Sequence, residues 1–122
     1  MHRNLMILTA ITALALPTLA GAADSAAGKA TFVANCSSCH GVTGKGDGPV
    51  GAALPISPRD FSKGDFKFDT DKDGKIGTDA DLKAVVQQGG AAFGGSALMA
   101  PWPSLSDGDI ANIIAYIRTL KE

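Results

Sequence analysis

The sequence is poor in the groups that usually build a small interior. Only seven of its 122 residues are aromatic, five Phe with one Tyr and one Trp, while glycine occurs 15 times, so the chain alone has few large groups to fill a core. Cysteine and histidine occur twice each and methionine three times. No sign of charge dominates: 11 Lys and Arg against 12 Asp and Glu leave a formal net charge of -1, which offers no basic field for nucleic acid and names no charged partner. No segment alternates in the manner of a half-buried strand as clearly as others repeat in the manner of helices. What is present is 45 % hydrophobic content in one domain's length of chain, a folded globule rather than a disordered tail.

Residues 1–23 read as a cleavable secretory signal peptide and residues 24–122 as a single domain. Arg3 precedes the apolar run Leu5 to Leu16, and Ala20 and Ala22 occupy the -3 and -1 positions of an A-x-A cleavage site. An uncleaved anchor is the alternative, since residues 4–23 carry no charge and could cross a bilayer. Pro17 and the small residues after it favour cleavage. The expectation is a periplasmic protein with no stable membrane insertion once the signal is removed.

Export sharpens the question posed by Cys36 and Cys39. Thiols in an oxidising compartment usually become a structural disulfide, but a bridge between these two closes a very short loop and removes little entropy from the unfolded chain. A redox dithiol would sit at a helix N-terminus in a βαβ setting. Here the preceding stretch reads as helix, with Asp24 or Ser25 as N-cap and Phe32 and Cys36 four apart on one face, so Cys36 falls at a helix end. The other reading uses His40. Cys36-Ser37-Ser38-Cys39-His40 is the C-x-x-C-H pattern of c-type haem attachment. Cysteines three apart on a helical turn project to one side, where their sulfurs can add to the two haem vinyl groups, and the next residue lands under the iron. A porphyrin is also a large apolar plate, able to replace missing core side chains, and glycines let backbone approach it closely.

A second axial ligand should come from far along the chain. His2, Met1 and Met6 leave with the signal, so His40 is the mature chain's one histidine and Met99 its one methionine. Met99 lies in a loop punctuated by Gly and Pro, "GGSALMAPWPSLSDGD", where an apolar thioether needs a reason to be held. The alternative is Met99 as an ordinary core residue, with an open or lysine-ligated iron. Two further helices are readable. Thr78 and Asp81 form a capping box before the stripe Leu82, Val85 and Val86, which stops at Gly89. Ser106 and Asp109 repeat the scheme before Ile110, Ile113, Ile114, Ile117 and Leu120, and Arg118 and Lys121 oppose the dipole at the C-terminal turn.

Between these helices, Asp69, Asp71, Asp73 and Gly74 open a D-x-D-x-D-G calcium loop with Ile76 at its apolar position. Three carboxylates and the Lys75 carbonyl would then surround Ca2+. Ala80 stands where the loop's bidentate Glu should be, with Asp79 and Asp81 flanking it out of register, so a solvated acidic turn is the competing reading.

Together "CSSCHG", the "GKGDGP" loop ending at Pro49, "PRDF" (Pro58 to Phe61), "LMAPWPSLSDGDI" and "IIAYIRTL" resemble the class I c-type cytochromes, over roughly residues 25 to 122. The resemblance implies an all-α fold of three to five helices with long loops wrapped around one covalently bound haem c per chain. It implies that the first and last helices cross at Gly28, Phe32 and Tyr116, and that the Pro49 carbonyl accepts the His40 ring N–H. By the same carry-over, Arg59 and Trp102 meet the haem propionates. With His40 and Met99 on the iron, no position is open to substrate. The chain is then an electron carrier rather than an enzyme, moving one electron between transient protein partners, a dehydrogenase or reductase complex and a terminal acceptor, without nucleic acid. The alternative is a haem c subunit or sensor whose labile sixth ligand admits a small gas or peroxide.

Overall fold

Thr78 and Ser106 each precede an aspartate by three residues, and both pairs close as reciprocal caps. The hydroxyl accepts the aspartate's backbone N–H, and the carboxylate returns to the cap residue's N–H, so two of the orphan donors at each helix start are satisfied. At the first helix Asp24 is the cap, accepting from the N–H groups of Ala26 and Ala27. The structure, a computed structural model, describes residues 21–122. The signal peptide expected at residues 1–23 therefore lies almost wholly outside the described residues. Four α-helices follow: α1 (Ser25–Asn35), the single turn α2 (Ser37–His40), α3 (Asp79–Gln88) and α4 (Asp107–Thr119). Short 3-10 turns at Gly51–Ala53, Phe61–Lys63 and Gly90–Phe93 punctuate the loops, and there is no strand among the described residues. No helix among them is long and apolar enough to cross a membrane.

The core is the crossing of α1 with α4, flanked by α3. Phe32, Leu82, Val86, Ile110, Ile113, Ile114, Tyr116 and Ile117 are its buried apolar members. Gly28 sits where the two helices touch: a Cβ there would collide with the backbone carbonyl of Asn112 and lie 2.9 Å from Ile113 N. Phe32 meets Tyr116 edge to face, with centroids 5.3 Å apart and planes at 63°. Gly28, Phe32 and Tyr116 therefore form the expected contact. At this crossing the helical faces read from sequence are the faces that pack.

From the stretch between α2 and α3 only the half-buried Phe61 and Phe66 pack against that core. Polar contacts hold much of the rest. Asp81, only 1 % exposed, accepts from the N–H and hydroxyl of both Thr70 and Thr78, tying the acidic loop down onto α3. Arg118 reaches from α4 to the Gly77 carbonyl (2.7 Å) and Asp79 (2.8 Å), with its guanidinium 4.9 Å from the centre of the Phe66 ring.

Candidate functional site

Backbone geometry places Cys36 and Cys39 on one turn of chain. Cys36 caps the end of α1 and at once becomes the start of α2, its carbonyl accepting from Cys39 N (3.3 Å) and His40 N (2.9 Å). Both thiols are unbonded and half-buried. Burial first, and the neighbouring Cys39 second, push the Cys36 thiol up to about 11, so it is no thiolate nucleophile at neutral pH. That argues against the dithiol reading on chemistry, as the helix before Cys36 does on topology.

His40 is held from two sides. Its Nδ1 lies 3.2 Å from the Arg59 carbonyl oxygen, which can only accept, so the proton sits on Nδ1 and Nε2 keeps its lone pair. Phe61 stacks against the imidazole, centroids 4.8 Å apart and planes within 19°. Burial holds the imidazole below its usual pKa, opposed by the Arg59 carbonyl and aided by the Arg59 charge, so the ring is neutral at physiological pH. A neutral imidazole with a bare Nε2 is the form that ligates a metal.

Met99 lies in a turn folded back on the end of α3. Its carbonyl accepts from Gly90 N at 2.9 Å, and three residues on, Trp102 N donates to Val86 O at 2.9 Å. Gly90 has to be glycine for this return, since a Cβ would lie 2.6 Å from the Ser96 carbonyl and 3.2 Å from the Met99 Cβ. The thioether is half-buried.

Around these groups the packing is one-sided. Of the seven aromatic residues only Phe32 and Tyr116 are buried, while Phe61, Phe66, Phe68, Phe93 and Trp102 are all half-buried, as are Cys36, Cys39, His40 and Met99. Such side chains normally complete a core, and partly exposed aromatic groups in this number suit contact with a large apolar group.

The sequence profile of the cytochrome c family matches residues 25–121. The chain belongs to the cytochrome c family. It is similar to cytochrome c-554(547) of Halothiobacillus neapolitanus, 36 % identical over 82 % of this chain and all of that protein. It is also similar to cytochrome c6 of Picosynechococcus sp., 37 % identical over 91 % of this chain and 86 % of that one. Among solved structures it resembles a chain of the Kuenenia stuttgartiensis reducing HAO-like protein complex, with a TM-score of 0.66 and 29 % identity over 79 % of this chain. This chain spans 42 % of that one's length.

The family implies covalent haem c, and the residues fit it: two free thiols one turn apart, a neutral imidazole whose Nε2 keeps its lone pair, and a set of half-buried aromatic side chains. Two of the expected site residues behave differently from expectation. Pro49 is exposed, and the carbonyl taking the His40 ring proton is that of Arg59. The reason lies in the loop's amides. Gly48 N donates to Cys39 O (3.2 Å) and Val50 N to Ser38 O (2.8 Å), so residues 48–50 pack against the outer carbonyls of α2, away from the imidazole. Phe61 N, in turn, donates to Gly44 O (2.8 Å), which draws the Arg59 to Phe61 stretch up to the ring. The Arg59 side chain points to Asp65, 3.4 Å away, and Trp102 packs on the core cluster.

The acidic loop also departs from expectation. Asp69 and Asp71 gather with Asp81, their carboxylate oxygens within 4.8 Å of one another, and Asp73 stands outside the group. Asp73 instead accepts from Lys75 N (2.8 Å), while Asp69 accepts from the N–H groups of Asp73 and Gly74. The carboxylates that gather are thus Asp69, Asp71 and Asp81, not the Asp69, Asp71 and Asp73 set expected from the D-x-D-x-D-G pattern. Sequence reasoning missed Phe61 as the face of the imidazole, because nothing in "PRDF" other than the resemblance marks a ring 21 residues downstream as a neighbour of His40.

Proposed function

We propose that this protein is a periplasmic one-electron carrier whose Cys36 and Cys39 hold haem c through thioether links and whose His40 and Met99 are its axial ligands. The observation that carries the reading is His40, fixed as the Nδ1–H tautomer between the Arg59 carbonyl and the Phe61 ring, with two free cysteines on the turn before it. When bound, the haem supplies a ferric/ferrous couple, and a thioether ligand favours the ferrous state relative to a second nitrogen. The chain does the rest. Cys36 and Cys39 prevent loss of the group outside the cytoplasm. His40 presents a lone pair in a fixed plane, which limits rearrangement when the charge changes. The half-buried aromatics keep water from most of the plate, and the loops at residues 41–48 and 94–104 border the edge through which transient protein partners exchange electrons.

Two similar proteins with cytochrome names, c-554(547) and c6, match over most of their own lengths and support a carrier of this size. The competing reading, a site whose sixth ligand leaves to admit a gas or peroxide, is favoured by a half-buried Met99 on an exposed turn, with Leu98 and Ala100 beside it exposed. Protein matured in a host able to attach haem c separates the two. A low-spin ferric spectrum with the methionine charge-transfer band, and no carbon monoxide binding within seconds of reduction, is the carrier's signature. A high-spin spectrum with rapid binding means an open site. An intact mass equal to the bare exported chain would refute both.

A further inference from the structure

Phe68 stands apart from the aromatic residues of the core. The helix crossing gathers Phe32, Phe61, Phe66, Trp102 and Tyr116, and Phe68 is not among them. Its half-buried ring crosses instead to the segment that follows α3, where it meets Phe93 with centroids 6.5 Å apart and planes at 44°. It also covers the bare Cα of Gly95, since a Cβ there would lie 2.7 Å from Phe68 Cζ and 3.4 Å from Cε2. Gly95 belongs to the turn that carries Met99. Gly95 N donates to Gly90 O (2.8 Å), and Gly90 N donates to Met99 O (2.9 Å), so a contact on Gly95 reaches Met99 through two hydrogen bonds. We propose that Phe68 is a positioning residue for Met99: its ring braces the turn over residues 90–99 from the acidic segment and sets how readily Met99 leaves the iron. The proposal rests on Met99 being an iron ligand.

A brace works only when its other end is fixed, and the backbone on both sides of Phe68 is. Two residues on, Thr70 N and Thr70 Oγ1 donate to Asp81 Oδ1 at 2.6 Å and 2.8 Å, and Asp81 is buried in the first turn of α3. The Phe68 carbonyl itself accepts from Gly77 N at 3.0 Å. Gly77 lies so close to Phe66 that a Cβ would stand 2.5 Å from that residue's own Cβ, and its carbonyl accepts from Arg118 of α4 at 2.7 Å. Asp69, next to Phe68, accepts from Asp73 N (3.1 Å) and Gly74 N (2.9 Å), which closes the acidic turn on itself. The ring is thus carried on a segment bonded to both α3 and α4.

The turn it leans on has less of its own. Ala97, Leu98 and Ala100 are exposed, and Met99 is half-buried. Hydrogen bonds to the end of α3 hold the turn at its base, at Gly90 and at Trp102. A turn fixed at its base still opens locally, at a free energy set by the contacts along its side, and Phe68 with Phe93 supplies an apolar one. The D-x-D-x-D-G segment therefore serves the sixth ligand through one aromatic side chain.

Free imidazole tests this on the ferric holoprotein, because it can take the sixth position only while Met99 is away from it. Its apparent affinity scales with the fraction of molecules whose turn is open. Phe68→Ala should raise that affinity by about tenfold, the factor that corresponds to losing one aromatic contact, and should accelerate amide exchange at Gly90 to a similar degree. Phe68→Leu, which keeps an apolar group against Gly95, should bring both back toward wild type. Tyr116→Phe, which loses its contact on the His40 side, should change neither. Where F68A does not fold, Phe93→Ala removes the other ring of the pair and is read in its place. An imidazole affinity unchanged in the folded variant, or raised equally in Y116F, overturns the brace. Met99→Ala supplies the open site as reference: wild type binding imidazole as tightly as M99A would overturn the ligation reading itself, whereas wild type binding more weakly than M99A but equally to F68A overturns the brace alone.

Discussion

Alanine at Gly28 and alanine at Gly108 are the same substitution in two helices, yet the structure gives them opposite signs. Each replaces the residue that costs a helix interior about 1 kcal/mol relative to alanine, somewhat less in the first turn where Gly108 lies. At Gly108 the new methyl meets Ser106 Oγ at 3.8 Å, an ordinary contact, so a gain of about 0.5 kcal/mol survives. At Gly28 the methyl falls on the carbonyl carbon and oxygen of Asn112 and lies 2.9 Å from Ile113 N. All three are backbone atoms of α4 and cannot swing aside. The helices must separate by about 1 Å or more to regain contact distances near 3.5 Å, and that opens the Phe32–Tyr116 pair beside them. Overpacking of this kind costs roughly 1–3 kcal/mol, and the added separation places G28A at the upper end, leaving a net loss of about 2 kcal/mol. Guanidinium unfolding of the purified holoprotein, followed by far-UV circular dichroism, reads both. With a slope of about 3 kcal/mol/M, G28A should lower the midpoint by about 0.7 M and G108A raise it by about 0.2 M. The covalent haem is common to all three proteins and drops out of the comparison. A G28A midpoint at or above wild type would refute the crossing as the limiting contact.

Three further outcomes follow from single interactions. Asp81 is held below the usual carboxylate range chiefly by the Thr70 backbone N–H, with Thr78 N–H and both hydroxyls adding to it against the cost of burial. A folded pKa below the unfolded one contributes stability that is present above about pH 4 and lost as pH falls further, so D81N should melt lower than wild type at pH 7, with the gap narrowing below about pH 4. A gap that does not change with pH sinks that account. Tyr116→Phe removes the hydroxyl that donates to the Val42 carbonyl at 3.1 Å, just beyond His40, and should cost about 1 kcal/mol in denaturant titration while leaving the ferrous spectrum unchanged. Met99→Leu keeps the volume but not the sulfur: the ferric spectrum should turn high-spin, reduced protein should bind carbon monoxide, and the potential should fall, whereas a wild-type spectrum would exclude Met99 as ligand.

The parts of this fold that were legible in the sequence are those written in local spacing. Thr78 with Asp81 and Ser106 with Asp109 close as capping boxes, Gly89 ends α3, and the isoleucine stripe of α4 is the face that packs. Cysteines three apart with histidine next are likewise local, and α2 places them on one turn. What could not be read is where loops return. Pro49 is nine residues from His40 and Arg59 nineteen, yet the farther carbonyl takes the ring proton, because amides of the nearer loop are spent on the backs of Cys39 and Ser38. Asp81 shows the same limit in another form. Its capping role is visible from Thr78, but its second pair of donors comes from Thr70, eleven residues away across a loop of apparent calcium-binding pattern. Local pattern gives elements and donors; the competition among donors is settled only by the path of the chain.

That path also explains how a protein with so few aromatics can hold the His40 imidazole, the proposed haem ligand. The helix crossing carries the buried core, and the segments on either side of His40 are tied to it at separate points. Tyr116 donates from α4 to the Val42 carbonyl, two residues past His40. Leu120 fills the space beside Gly44 and Phe61, and Glu122 reaches both Lys45 and the Ser62 carbonyl. Each tie is weak: the Lys45–Glu122 pair is exposed and worth little, and a single hydrogen bond contributes on the order of 1 kcal/mol. They converge, however, on the two segments that flank His40, residues 42–45 and 61–62, so displacing those segments breaks several at once. The glycines that depress the core count at Gly44 and Gly28 are the places where loop meets helix and helix meets helix most closely. Scarcity of large side chains is thus the condition for backbone to approach backbone so closely at these points.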